Sequence, residues 1–167
     1  MSAPAIRTVV AADAERLKQL RLRALADSPD AFGSSLEAEL AYPESEWADL
    51  ARRSESADEL TIFVAVDGQR WLGMAAGRWY DRDERVAGLW GMWVDPAARG
   101  SGLGARLVAA VDEWALGQGA RTLRLGAVTG DGDPGAFYER LGFVGTGETG
   151  TLRRDPTRAF RYMARPL

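Results

Sequence analysis

The stretch Val86–Val128 constrains this chain more than any other. Val86–Val94 reads Val-Ala-Gly-Leu-Trp-Gly-Met-Trp-Val, apolar at both alternations, as expected of a strand covered on both faces. Asp95-Pro96 ends it. Arg99-Gly100-Ser101-Gly102-Leu103-Gly104 follows. Gly102–Leu116 then places Leu103, Leu107, Val111 and Trp114 on one helical stripe, and Gly117 and Gly119 stop it. Leu123–Val128 is a strand again. Strand, helix and strand in so short a span imply a parallel or near-parallel crossover.

Around this unit the pattern alternates in the same way. Ile6–Val10 reads as a first strand. Asp13–Ala26 reads as a helix, with Leu17, Leu20, Ala24 and Leu25 at helical spacing, closed by Ser28-Pro29-Asp30. A looser segment covers Ala31–Ala41, and Pro43 opens a second helix through Trp47 and Leu50. Leu60–Val66 and Trp71–Tyr80 form a hairpin across Asp67-Gly68-Gln69. Acidic Asp81–Arg85 makes the next turn. After Val128, Pro134–Leu141 is a short helix ended by Gly142, and Phe143–Thr149 with Arg158–Ala164 close the sheet. The elements give an α/β sheet with helices on both faces, and 167 residues suit a single domain, 1–167.

Composition excludes several chemistries. The chain has no cysteine and no histidine, so Ser-His-Asp and Cys-His nucleophilic sites, disulfides and the common zinc enzymes are out, and no metal site is expected. No apolar run approaches the ~20 residues of a membrane span. Met1-Ser2-Ala3-Pro4 lacks the basic start of a secretory signal, so a cytoplasmic location is the expectation. A net charge of -3 speaks against nucleic acid as a partner.

The glycine loop carries the chemistry. Helix N-termini hold unpaired N–H groups and about half a positive charge. Glycines let a phosphate approach those groups without meeting a side chain, and Arg99 adds a permanent charge. The arrangement suits a pyrophosphate. A P-loop would need Gly-Lys-Ser/Thr, which Leu103-Gly104-Ala105 does not supply. Gly100, Gly102 and Ala105 fit a dinucleotide fingerprint formally. However, Asp95–Arg99 separate them from the strand, and Arg124-Leu125 stand where an acidic residue should end the next strand. A plain structural connection is the remaining alternative.

Two segments together carry a family resemblance. Val94-Asp95-Pro96-Ala97-Ala98-Arg99-Gly100-Ser101-Gly102-Leu103-Gly104 matches the pattern Q/R-x-x-G-x-G/A after a strand ending V-x-P. Phe137-Tyr138-Glu139-Arg140-Leu141-Gly142-Phe143 matches a second motif in the right order and spacing. The chain resembles the GNAT superfamily of N-acetyltransferases over essentially its whole length. That resemblance implies a mixed, largely antiparallel central sheet and acetyl-coenzyme A as acyl donor. The acceptor would be a small-molecule or peptide amine, with a homodimer as the family's usual assembly.

Residue by residue, the resemblance implies that the amides of Arg99, Gly100, Ser101, Gly102, Leu103, Gly104 and Ala105 hold the pyrophosphate. Met92, Trp93 and Val94 would pair with the pantetheine arm. Gly88 and Gly91 fit a bulge or close backbone approach in that strand, or merely make room for neighbouring tryptophans. Tyr138 corresponds to the tyrosine beside the coenzyme sulfur, where a hydrogen bond to the forming thiolate is the safer role. Full proton transfer from a pKa of ~10 to one of ~8.5 is uphill by about 2 kcal/mol. Asp131 stands where the family has an asparagine touching the coenzyme, and the chain has no asparagine.

The general base is the weak point. Relatives carry a glutamate near the position of Val86 or of Gly126, and neither is acidic here. The nearest acids are Asp81, Asp83 and Glu84, with Glu84 as the candidate catalytic carboxylate. Glu37 and Glu39 are a second set. Deprotonation through water, or a weakly basic amine, is the alternative. Trp79 and Trp90 belong either to the core or to an apolar acceptor pocket. A non-catalytic acyl-coenzyme A sensor would keep the loop and lack the base.

Overall fold

A computed structural model describes residues 2–167. Seven strands, β1 (Ala5–Thr8), β2 (Leu60–Asp67), β3 (Arg70–Asp81), β4 (Val86–Val94), β5 (Thr122–Val128), β6 (Val144–Leu152) and β7 (Asp155–Pro166), form one sheet in the order β1-β2-β3-β4-β5-β7-β6. All neighbours run antiparallel except β4 and β5. The crossover read from Val86–Val128 is therefore the sheet's one parallel joint. Its connection is α4 (Leu103–Gly117).

Two apolar clusters lie on opposite faces of the sheet. On one, Leu103, Leu107, Val108 and Val111 of α4 pack against Ala75, Leu89, Leu123 and Leu125. Burying each such leucine contributes on the order of 2 kcal/mol. On the other, Leu17, Leu20, Ala24 and Leu25 of α1 (Ala14–Asp27) join Trp47 and Ala51 of α3 (Glu44–Ser56) over Ile62, Val64 and Met74. Alternation along β2 and β3 sends successive side chains into these two clusters, which is why these strands read as continuous apolar runs.

The segment Ala31–Ala41 differs from the looser path expected of it. It contains a five-residue helix, α2 (Leu36–Leu40), whose N-cap Ser35 Oγ accepts the Ala38 N–H at 3.2 Å. One short turn bears too few apolar residues to show helical periodicity. The other short helix, α5 (Gly135–Arg140), lies where Pro134–Leu141 predicted it. No helix among the described residues is long and apolar enough to cross a membrane.

The two strand glycines divide between the two roles open to them. Gly91 has φ +57 and, with Met92, stands opposite Ala75 alone, because Trp93 pairs with Met74 and Trp90 with Ala76. This is a β-bulge. Gly88 instead makes room, since a Cβ there would stand 2.6 Å from Trp90 Nε1.

Candidate active site

The parallel joint is short. Val86, Ala87 and Gly88 pair with Thr122, Leu123 and Arg124, and there the pairing stops. β4 continues beside β3 as far as Val94, while β5 continues beside β7 as far as Val128. The bulge at Gly91 adds twist to β4 just beyond the last pair, and the two strands separate. A cleft of about 1180 Å³ opens between them, walled by Leu89–Val94 on one side and by Leu125, Gly126 and Val128 on the other.

The glycine loop closes one end of this cleft. Gly100 and Gly102 adopt φ +76 and +80, with nothing within 4 Å of where a Cβ would stand. Gly102 is the N-cap of α4, not a residue inside it as the sequence suggested. Among the described residues, the amides of Gly100 to Ala105 donate to no protein acceptor, six consecutive orphan N–H groups at the positive end of a helix. Gly104 serves packing, because a Cβ there would stand 3.0 Å from Met92 Cε and 3.1 Å from Phe137 Cζ. Arg99, Gly100, Gly102, Leu103, Gly104 and Ala105 line the cleft, as do Met92, Trp93, Val94, Asp131 and Tyr138. Ser101 does not. Its Oγ donates to Ala98 O at 2.6 Å and pins the turn from outside.

Arg99 brings its charge to the loop but is held in place by two partners. Its Nε donates to Val94 O at 3.0 Å, and its Nη2 donates to Asp27 Oδ2 at 2.6 Å. Asp27 also accepts from Trp93 Nε1 at 3.0 Å. The Trp93 and Ser28 hydrogen bonds, and then Arg99, hold its carboxyl below the ordinary carboxylate range. The loop is thus tied to the end of α1.

Tyr138 of α5 lies at the wall of the cleft, 7% exposed. The rings of Phe137 and Phe143 meet it edge-on at 5.1 and 5.7 Å between centroids. Burial pushes its phenol far above its ordinary pKa of 10. The hydroxyl therefore stays protonated, a donor, across the neutral range.

Glu84 is not brought to the cleft. It sits exposed in the turn before β4, where its N–H donates to Asp81 Oδ1 at 3.0 Å. The three closed pairs of β4 and β5 lie between that turn and the fork. Asp81 and Asp83 share the turn and do not line the cleft either. Glu37 is exposed on α2. Glu39 is buried, but Arg21 Nε and Nη2 hold its carboxylate at 3.0 and 2.9 Å. Trp79 packs against the α4-side core, whereas Trp90, 43% exposed, lines the cleft.

The structure adds residues that sequence reasoning passed over. The loop Ser28–Ser34, Tyr80, Arg124, Phe160 and Tyr162 complete the cleft. Arg154 Nη2 ties the β6–β7 turn to that loop through Pro29 O and Phe32 O at 2.6 and 2.9 Å. Arg124 did carry a signal, as the one charge in Leu123–Val128. Tyr80 and Tyr162 carried none, because which face of a strand meets the fork depends on register.

The family model described as the acetyltransferase (GNAT) family matches residues 22–143. No curated protein matches the chain. Among solved structures, a GNAT-family acetyltransferase of Streptococcus pneumoniae is similar at TM-score 0.80 and 19% identity, covering 98% of this chain and 99% of that one. PaiA N-acetyltransferase of Thermoplasma acidophilum, in complex with coenzyme A, gives 0.75 and 17% over all of both chains. YncA of Salmonella typhimurium, with acetyl-coenzyme A, gives 0.76 and 17% over 99% and 95%. These likenesses share the fold. Together with the matched segment, which runs from Leu22 within α1 to Phe143, they lead to one conclusion: the chain belongs to the GNAT acetyltransferase family.

Proposed function

We propose that the protein is an N-acetyltransferase that takes its acetyl group from acetyl-coenzyme A and passes it to an amine by direct attack on the thioester. The observation that carries this reading is the run of orphan amides from Gly100 to Ala105, whose residues, Ser101 apart, line a cleft between parted parallel strands. Six N–H donors at a helix N-terminus, with no side chain over Gly100 or Gly102, suit a pyrophosphate. The edge of β4 beyond Gly88, unpaired on the β5 side, suits the amide groups of a pantetheine arm, with Met92, Trp93 and Val94 as its partners. Acetyl-coenzyme A bound there supplies an activated acyl group.

The chain's own residues have three tasks in this scheme. The glycine loop anchors the donor. The fork positions the reacting carbon between the β4 bulge and β5. Tyr138 donates a hydrogen bond from Oη–H to the sulfur that accumulates negative charge. Burial raises the phenol further above a thiol's pKa, so complete proton transfer becomes more uphill than the ~2 kcal/mol of an unperturbed pair. The proton lost by the amine is therefore the one the thiol gains, by way of water.

Three carboxylates line the cleft among the described residues. Asp27 and Asp30 pair with Arg99 and Arg158, and Asp131, which forms no ion pair, stands between β5 and α5, outside the paired strands of the fork. A lysine-like amine of pKa ~10.4 is neutral about one part in a thousand near pH 7.4, a penalty of ~4 kcal/mol, whereas an α-amine near 7.8 loses a few tenths. The site therefore suits a weakly basic amine. Thiol release from acetyl-coenzyme A over a panel of amines tests the reading. Turnover that favours amines of lower pKa is expected, and binding of the coenzyme without thiol release on any amine would make the protein a sensor instead.

A further inference from the structure

Arg124 occupies the fork itself, on the last β5 residue paired to β4. Leu123 and Leu125 on either side of it are buried in the α4-side core, so Arg124 turns to the opposite face. There the rings of Tyr162 and Tyr80 flank its guanidinium at 3.9 and 4.6 Å. Its side chain is 15% exposed. Nη2 donates to Glu148, Nε is buried with no partner, and Nη1 donates to no protein acceptor among the described residues. Glu148 is 61% exposed on the edge strand β6 and is not part of the cleft wall. Trp90 and Phe160 supply apolar surface beside Arg124 in the same cleft.

A guanidinium held between two rings is a fixed fork of donors, suited to a planar carboxylate. None of the three acids that line the cleft pairs with it, since Asp27 and Asp30 are ion-paired elsewhere and Asp131 forms no ion pair. Glu148, solvated and screened, is an easily shared partner. A polycationic acceptor would meet a like charge at the point where it must bind. The geometry points to an acceptor amine that carries a carboxylate on an apolar or aromatic skeleton, with Arg124 as the residue that binds that carboxylate. This rests on the acetyl-transfer reading of the same cleft and names its acceptor class.

Product pairs test it without interference from amine basicity, because both members are neutral amides at nitrogen. Wild-type protein is first titrated with coenzyme A. The saturated complex is then titrated with N-acetylphenylalanine and, separately, with N-acetylphenethylamine, which differs only in lacking the carboxylate. Wild type should favour the carboxylate by about 10- to 100-fold. Arg124→Met should bring the pair to within about threefold, and Glu148→Gln should keep or enlarge the preference. A thermal melt checks that Arg124→Met is folded. If it is not, Arg124→Lys serves, with the charge kept, the planar fork lost and a smaller ratio expected. Equal affinity for the two products in wild type, binding of neither, or a parallel loss of both in the Arg124 variant would overturn the inference. Failure of the first titration would instead defeat the acetyl-transfer reading beneath it.

Discussion

Two residues, Tyr138 and Glu84, separate what a side chain's type suggests from what its surroundings allow. Tyr138 is buried with its phenol protonated, so Tyr138→Phe removes the hydroxyl proposed to donate to the coenzyme sulfur and leaves the aromatic packing. Turnover should fall about 10- to 100-fold, with the affinity for acetyl-coenzyme A little changed. Linkage gives a second readout. The folded phenol titrates above the ordinary 10, so wild type resists losing this proton and its stability declines as pH rises past 10. Tyr138→Phe should lack that alkaline loss when the two are melted side by side. Glu84 makes the opposite case. As an exposed carboxylate in a turn, it should tolerate Glu84→Gln with kcat/KM within about twofold. A loss beyond tenfold would mean that the turn folds over the acceptor during reaction.

At the scale of elements, the strand–helix–strand unit was legible because a doubly covered strand, a glycine loop and a one-sided helix leave few alternatives. The fork was not legible. It depends on pairing that stops after Gly88 and Arg124, and on a bulge that Gly91 permits but does not announce. The short helix α2 and the cleft face of β7 were missed for a related reason, since neither bears a periodic pattern long enough to read. Leu107, fully buried in α4 beneath the sheet, should cost about 2–5 kcal/mol on replacement by alanine in a denaturant melt. The junction of β1 and α1 adds an acid-sensitive element. Asp13 accepts from Arg7 Nη1 and Nη2 at 2.6 and 3.0 Å and from Val10 N–H at 3.0 Å. These bonds, Arg7 foremost, hold its carboxyl below the ordinary 3.8. Its contribution is complete above that value and is lost as pH falls through the lowered one. Asp13→Asn should lower stability at pH 7 and flatten the acid limb of the stability profile.

Among the described residues the molecule is one sheet split at its only parallel joint, with α4 and its glycine loop at the mouth of the split. Both motifs, Arg99–Gly104 and Phe137–Phe143, were legible in the sequence because each carries its chemistry in consecutive residues. The rest of the cleft was legible only at Trp90, one of two tryptophans offered for an apolar pocket, because Tyr80, Trp90, Arg124 and Tyr162 come from four strands and meet only in the fold. The bond from Arg99 to Asp27 was equally hidden, as it joins residues 72 positions apart. The central claim is that the orphan amides of the loop hold the pyrophosphate of acetyl-coenzyme A. Calorimetric titration of wild type and Gly102→Asp with acetyl-coenzyme A tests this most directly. The account expects micromolar binding by wild type and at least a hundredfold loss (about 3 kcal/mol) in a variant that still melts cooperatively. Equal binding by the two proteins, or none by wild type, would contradict it.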